Sequence, residues 1–117
     1  MFDVAVSRLD HATVCRLVGE LDAYTAPRFR QAMAGVAPET QLVIDLSAVP
    51  FLDSAGVGAL VAAIRRVRES GGDAALSCDR PPLLRLLRTA GFEHVVTIRE
   101  TVEEAASSLS STELASS

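Results

Sequence analysis

The 117-residue sequence contains no lysine, so all 11 of its basic residues are arginines. Without lysine it cannot form the phosphate-binding P-loop, whose motif requires that residue. It also has no tryptophan and no apolar run of 18 residues, so no membrane-spanning helix and no membrane partner are expected. The net charge is −4 and no block of basic residues is present. Direct binding to nucleic acid is therefore not expected either.

The remaining composition is that of an ordinary folded domain, with 49% hydrophobic and 22% charged residues. A chain of this length can bury a core without a metal or disulfides. We expect one domain that holds no metal and no cofactor. The opening residues, MFDVAVSRLD, lack the basic-then-apolar layout of a secretory signal peptide, and we expect a cytoplasmic protein.

The only two cysteines, Cys15 and Cys78, both lie in apolar, strand-like runs. This setting is typical of cysteines that act as small buried hydrophobes. A redox pair and a metal site are the alternatives, but neither cysteine has the spacing of a ligand motif.

Hydrophobic periodicity and turn residues predict five strands and four helices in the order ββαβαβαβα. The predicted strands cover about residues 2–7, 13–18, 42–46, 73–78 and 95–98, and the predicted helices about residues 25–36, 54–69, 82–90 and 101–109. Strand and helix alternate from the third strand onward, which indicates an α/β domain with a mixed sheet and helices packed on it. We expect this domain to span residues 1–109 and a flexible Ser-rich tail to span residues 110–117.

The most informative stretch is the strand-to-helix corner PFLDSAGVG at residues 50–58. In open α/β sheets, loops that follow the carboxyl ends of strands are where ligands and partners bind. Ser54 is predicted to lie at or next to the N-cap of the long helix. The simplest interpretation is that its hydroxyl caps the helix and does nothing more.

The predicted outer side of this helix is unusually smooth. It is predicted to carry Ala55, Gly58, Ala59, Ala62, Arg65 and Arg66, opposite a stripe of aliphatic residues that suits the core. Alanine alone would need no explanation, because it is the best helix former. Gly58 does need an explanation, because glycine destabilises a helix by about 0.5–1 kcal/mol relative to alanine. We infer that a partner packs on this side.

Three chemistries can be weighed for Ser54. A serine hydrolase would need a general base, and only His11 and His94 are available, while the motif S-x-G-x-G differs from the hydrolase elbow G-x-S-x-G. A dinucleotide-binding motif would need a third glycine, and the sequence has none at the required position. A small anion or nucleotide at the helix N-terminus stays open, with Tyr24 and Phe51 as the nearby aromatic residues.

Phosphorylation of Ser54 agrees with all features of the corner. A phosphate adds about −1.5 to −2 charges, and a helix N-terminus tolerates them through its free N–H groups and dipole. The fold would change little, but a partner packed on the smooth helix would meet the new charge. The pattern therefore predicts an electrostatic switch.

Four stretches of the chain resemble the bacterial anti-sigma factor antagonists, which are single STAS domains. They are GELDAYTAPRFR at 19–30, VIDLSAVPFLDSAGVGAL at 43–60, SGGDAALSC at 70–78 and LLRLLRTAGFEHVVTI at 83–98. The second stretch, with its D-S-x-G-x-G core, is the most specific. The resemblance covers about residues 2–109 and implies the STAS fold.

The resemblance implies a partner-switching role. In this family the unphosphorylated antagonist binds an anti-sigma factor that is also a serine kinase, and binding frees a sigma factor. Phosphorylation breaks the complex, and a metal-dependent serine phosphatase resets it. By position, Ser54 matches the phosphorylated serine, Asp53 the acid before it, and Glu20 and Asp22 a loop near the partner surface. The chain would then be a kinase substrate with no catalytic residue, and we expect a monomer when it is free.

The complete set of predicted partner-binding residues is Glu20, Asp22, Asp53, Ser54, Ala55, Gly56, Gly58, Ala59, Ala62 and Arg66. Ala55 departs from the many family members that have Ser or Thr there, so Ser54 is the only hydroxyl in the motif. Two alternatives stay open within the same fold: binding of a small anion or nucleotide, and a role in a stress-sensing complex without the kinase switch.

Overall fold

The computed structural model describes the backbone of residues 1–116 and the side chains of residues 1–109. Its elements are β1 (Asp3–Leu9), β2 (Ala12–Val18), α1 (Ala26–Ala34), β3 (Gln41–Ala48), α2 (Ser54–Glu69), β4 (Asp73–Ser77), α3 (Pro81–Thr89), β5 (Thr97–Arg99) and α4 (Val102–Ser116). The predicted order ββαβαβαβα is confirmed. Helix α4 continues to Ser116, beyond its predicted end at about residue 109. The side chains of residues 110–117 lie outside the description, and the predicted flexibility of this tail stays a prediction.

The five strands form one mixed sheet in the order β1-β2-β3-β4-β5. Strand β1 pairs antiparallel with β2 through a hairpin, whose turn places Asp10 in the left-handed region at φ 55°. Strands β2 to β5 are parallel to one another. The carboxyl ends of the parallel strands therefore meet at one edge of the sheet, and the β3–α2 corner lies there.

Both faces of the sheet are covered by helices. Helices α1, α2 and α3 contribute Phe29, Leu60 and Leu87 to the larger core on one face. Helix α4 covers the other face, where Leu109 belongs to a smaller core with residues of β2, β3 and β4. Successive residues of β3 thus enter different cores, which explains its continuous apolar sequence. No helix in the described part of the chain is long and apolar enough to cross a membrane.

Both cysteines are buried and unpaired, as predicted from their apolar surroundings. Burial raises the pKa of Cys15 to about 11. Burial also raises the pKa of Cys78. Both thiols therefore stay protonated near neutral pH, and a protonated thiol is a poor nucleophile.

The last strand begins two residues later than predicted. Gly91 adopts the left-handed conformation expected at the end of a helix, with φ 81°, and residues Phe92–His94 then form a 3-10 turn. Strand β5 covers Thr97–Arg99 rather than residues 95–98. The turn buries Phe92, and Val96 is buried between the turn and β5. Of the apolar residues that indicated a strand at 95–98, Val96 thus reaches the core from outside a strand, and Val95 is 42% exposed.

Candidate functional site

Helix α2 begins at Ser54, and its N-cap is Asp53. Asp53 Oδ1 accepts a hydrogen bond from the Gly56 N–H at 2.9 Å, so a carboxylate satisfies this terminal donor. Ser54 is exposed, and no other described residue hydrogen-bonds to its hydroxyl. The interpretation that Ser54 only caps the helix is therefore wrong. Its hydroxyl is free in the first turn of α2.

The other oxygen of Asp53 connects the helix to the loop before α1. Asp53 Oδ2 accepts a hydrogen bond from the Ala23 N–H at 3.1 Å. Leu21 forms an isolated parallel bridge with Leu52, and the Leu21 N–H donates to the Phe51 carbonyl at 3.1 Å. The structure thus brings the 20–22 turn beside the Ser54 corner, as the family resemblance implied.

Within this loop, the Asp22 side chain forms structural hydrogen bonds and the Glu20 side chain does not. Asp22 Oδ1 accepts hydrogen bonds from the Tyr24 and Thr25 N–H groups at 2.9 and 3.0 Å. The Thr25 hydroxyl donates to the Glu20 carbonyl at 2.8 Å rather than capping α1. The Glu20 side chain is exposed and has no hydrogen-bond partner among the described residues. Asp22 therefore shapes the loop, and Glu20 is available to a partner.

The two glycines of the motif differ in what surrounds them. A Cβ on Gly56 would lie 2.2 Å from the Leu21 carbonyl oxygen, so only glycine lets the helix approach the loop this closely. A Cβ on Gly58 would meet no atom within 4 Å. Gly56 is therefore needed for the packing of the corner. Gly58 lies on the surface, where no contact in the described part of the chain requires a glycine.

The outer side of α2 carries small exposed residues, but one residue predicted there lies elsewhere. Ser54, Gly58 and Ala62 are exposed in a line along the helix, and Ala55 is half-buried. Ala59 is only 1% exposed, so its predicted place on the outer side is wrong. It belongs to the core because α1 packs along that side of α2.

Arg66 has a structural partner that the sequence did not indicate. Its Nη1 donates hydrogen bonds to the carbonyl oxygens of Met33 and Val36, at 2.8 and 3.0 Å. These carbonyls lie at the end of α1, where the last peptide groups lack partners within the helix. Arg66 therefore joins α2 to α1, and only the remainder of its half-buried side chain is available to a partner.

Two exposed aromatic residues next to the corner were not among the predicted partner-binding residues. Tyr24 is 91% exposed and Phe51 is 48% exposed. Both adjoin the hydrogen bonds that join the loop to the corner. Aromatic residues are enriched in protein interfaces, and this chain has few, so their exposure here was an available signal. We call Glu20, Tyr24, Phe51, Ser54, Gly58 and Ala62 the corner surface.

A cavity of about 630 Å³ lies away from the corner surface, between α3, β5 and α4. Its charged lining residues are Arg68, Arg88, Arg99, Glu93, Glu100 and Glu104. The two signs are balanced, so the cavity does not favour an anion or nucleotide. In the described part of the chain no three His, Cys, Asp or Glu residues are grouped to hold a metal ion.

The geometry also bears on the hydrolase interpretation. His11 lies in the β1–β2 hairpin turn, and His94 lies in the 3-10 turn with an exposed side chain. Neither histidine hydrogen-bonds to Ser54 in the structure as described. Among the described residues, the corner therefore offers a free hydroxyl without a histidine beside it.

Replacing Asp53 with Ala is expected to lower the free energy of unfolding by about 2 kcal/mol, because the helix cap and the bond to Ala23 are both lost. Asp53→Asn is the matched control. Its amide oxygen can still accept a hydrogen bond from the Gly56 N–H, but its NH₂ group cannot accept one from the Ala23 N–H. We therefore expect about half the loss in the free energy of unfolding. Urea denaturation of the three proteins measures both values. An Asp53→Ala variant as stable as the wild type would contradict this account of the corner.

Comparison with known proteins agrees with the fold. The family model described as the STAS domain matches residues 3–105. The anti-sigma-B factor antagonist of Listeria monocytogenes is 32% identical over 92 residues, which are 77% of this chain and 80% of that protein. The anti-sigma-B factor antagonist of Bacillus subtilis is 29% identical over 97 residues, or 82% and 89% of the two chains.

A solved structure is also similar over almost the whole chain. The crystal structure of an anti-sigma factor antagonist from Mycobacterium paratuberculosis has a TM-score of 0.83 and 31% sequence identity. The similarity covers 93% of this chain and 94% of that one. Together with the family match over residues 3–105, these similarities show that the chain belongs to the anti-sigma factor antagonist (STAS domain) family.

Proposed function

We propose that this chain is an anti-sigma factor antagonist, which binds an anti-sigma factor through the corner surface and so releases a sigma factor. The observation that carries the proposal is the free, exposed hydroxyl of Ser54, beside the loop that Asp53 attaches to α2. Small residues and two exposed aromatic residues surround it. An interface core of this kind is low in charge and rich in aromatic residues. The names of the similar proteins support the same role.

The proposed off-switch is phosphorylation of Ser54 by an anti-sigma factor that is also a serine kinase. The γ-phosphoryl group of ATP would be transferred to the Ser54 hydroxyl oxygen, which loses its proton, and ADP would leave. The phosphate adds about −1.5 to −2 charges at a helix N-terminus that tolerates them. Glu20 and Asp53 are acidic neighbours, and none of the ion pairs among the described residues involves this corner. The new charge is therefore directed at the partner rather than neutralised within the domain.

The remaining parts of the proposed cycle need no chemistry from this chain. A metal-dependent serine phosphatase would hydrolyse the phosphoserine and restore the binding form. The chain is then a substrate of two enzymes and not an enzyme itself. We propose that it is a monomer when free, which leaves the corner surface open to the anti-sigma factor.

The proposed function is tested with the anti-sigma factors encoded in the genome from which the chain comes. Each is purified in complex with its sigma factor and titrated with the unphosphorylated chain, and release of the sigma factor is measured by size-exclusion chromatography. We expect one of them to bind and to release its sigma factor. If none of them binds with a dissociation constant below about 10 µM, the proposal is contradicted.

A matched pair of variants tests whether binding uses the corner surface. Phe51→Ala removes an exposed aromatic side chain at the corner, and Val95→Ala shortens an exposed apolar side chain beside the large cavity. We expect Phe51→Ala to weaken binding about tenfold or more, since aromatic residues dominate interface energetics. Val95→Ala should bind as the wild type does.

A further inference from the structure

A shallow groove of about 200 Å³ lies between α1 and α2. It is lined by Phe29, Arg30, Met33, Ala34, Ala59, Ala62, Ala63 and Arg66. Phe29, Met33, Ala59 and Ala63 are buried and form its floor, while Arg30, Ala34 and Ala62 are exposed at its rims. The groove is open because alanine occupies four of the positions from which a longer side chain could fill it.

The groove is continuous with the corner surface. The loop before α1 contacts the start of α2 through Asp53, and Arg66 near the end of α2 reaches the end of α1. The two helices therefore run in the same direction, and the groove between them extends away from Ser54. Ala62 belongs to both the corner surface and the groove. A partner that covers Ser54 and follows α2 meets the groove within the same contact.

The helices that flank the groove are basic although the chain as a whole is acidic. Helices α1 and α2 together carry five arginines and one glutamate, against a net charge of −4 for the chain. Arg66 is occupied by carbonyl oxygens of the α1 end. Arg30 is exposed and has no hydrogen-bond partner among the described side chains. The groove therefore combines an apolar floor with an available cation at its rim.

We propose that the groove receives an apolar side chain from an acidic amphipathic helix of the anti-sigma factor. This inference rests on the function proposed above and adds the chemistry of the partner. A helix that lies in a groove presents apolar anchors three or four residues apart, with polar residues between them. One large apolar side chain fills the space over Phe29 and Met33. A carboxylate about one turn away from that anchor faces Arg30.

Two exposed positions on α1 allow the groove to be tested away from Ser54. Ala34→Leu fills the groove, and leucine forms helices almost as well as alanine. Gln31→Leu is the matched control, because it adds the same side chain to an exposed position of α1 that does not line the groove. Arg30→Glu reverses the rim charge, and Arg85→Glu makes the same change at an exposed position of α3.

Binding of the anti-sigma factor identified above is measured by calorimetry, after urea denaturation has shown that all four variants fold. Ala34→Leu is expected to weaken binding by about tenfold or more, as blocking of a central anchor pocket does. Arg30→Glu is expected to weaken it about tenfold at about 0.05 M salt and less at about 0.5 M, where charges are screened. Gln31→Leu and Arg85→Glu should stay within about twofold of the wild type.

The outcomes separate this inference from the proposed function. If the wild type binds and Ala34→Leu and Arg30→Glu bind equally well, the groove proposal is overturned while the function stands. If either control weakens binding as much as its matched variant, the effect is not specific to the groove and the proposal is again overturned. If no anti-sigma factor binds the wild type, both fail together.

Discussion

Replacing Ser54 with Asp is expected to weaken binding of the anti-sigma factor by about 100-fold or more, which corresponds to about 2.7 kcal/mol. The physical reason is that a partner packed on the corner surface would bury an unpaired carboxylate beside Glu20 and Asp53. The free energy of unfolding should be unchanged or slightly higher, because an acidic residue in the first turn of a helix interacts favourably with its dipole. Calorimetric titration and urea denaturation measure the two effects separately.

Two controls accompany this variant. Ser54→Ala should bind as tightly as the wild type and should keep the sigma factor free even when ATP is present. Ser7→Asp adds the same charge at an exposed position of β1 and should leave binding unaltered. A Ser54→Asp variant that binds within about threefold of the wild type would show that charge at this position does not control the complex.

Replacing Gly56 with Ala is expected to lower the free energy of unfolding by about 1–2 kcal/mol. The new methyl group would lie 2.2 Å from the Leu21 carbonyl oxygen, a backbone atom that cannot move without displacing the loop. Overpacking of this kind costs about 1–3 kcal/mol, and the better helix propensity of alanine returns less than 1 kcal/mol. Binding of the anti-sigma factor should weaken as well, because the displaced loop carries Glu20 and Tyr24.

Gly58→Ala is the matched control and should change stability in the opposite direction. Its methyl group meets no atom within 4 Å, so the variant should gain about 0.5–1 kcal/mol from helix propensity alone. The same methyl group projects from the corner surface, and we expect it to weaken binding. Equal stability changes at the two glycines, measured in urea, would contradict the distinction between a packing glycine and a surface glycine.

The different roles of Asp53 and Ser54 would allow the corner to serve as the proposed switch. Asp53 caps α2 and attaches the loop, so the fold of the corner does not depend on the serine hydroxyl. Ser54 is then free to change its charge without loss of a structural hydrogen bond. If the phosphorylated hydroxyl were also the N-cap of the helix, each phosphorylation would remove the cap hydrogen bond and lower the stability of the domain.

Much of the fold could be predicted from the sequence, because its local signals agree with one another. The alternation of strands and helices after β3 predicted the mixed sheet. The helix predicted to begin at about residue 101 begins at Val102, and the Thr101 hydroxyl before it accepts a hydrogen bond from the Glu104 N–H at 3.1 Å. The side-by-side position of the 20–22 turn and the Ser54 corner was predicted through the family resemblance.

The details that could not be predicted depend on contacts between elements. Asp and Ser are both good N-caps, so the sequence could not assign the cap to Asp53. Helical periodicity placed Ala59 on the outer side, and only the packing of α1 decides that it is buried. The sequence predicted Arg66 as a surface cation, but its side chain donates hydrogen bonds to two carbonyl oxygens at the end of α1. The apolar residues near Val96 could equally indicate a strand or a buried turn.

The most direct test of the central claim uses the proposed phosphorylation itself. The purified chain is incubated with its anti-sigma factor and ATP, the phosphate is located by peptide mass mapping, and binding of the phosphorylated chain is then measured. The account predicts a single phosphate on Ser54, none on the Ser54→Ala variant, and no detectable binding after phosphorylation. A phosphate on a different residue, or a chain phosphorylated at Ser54 that binds as tightly as the unmodified one, would contradict it.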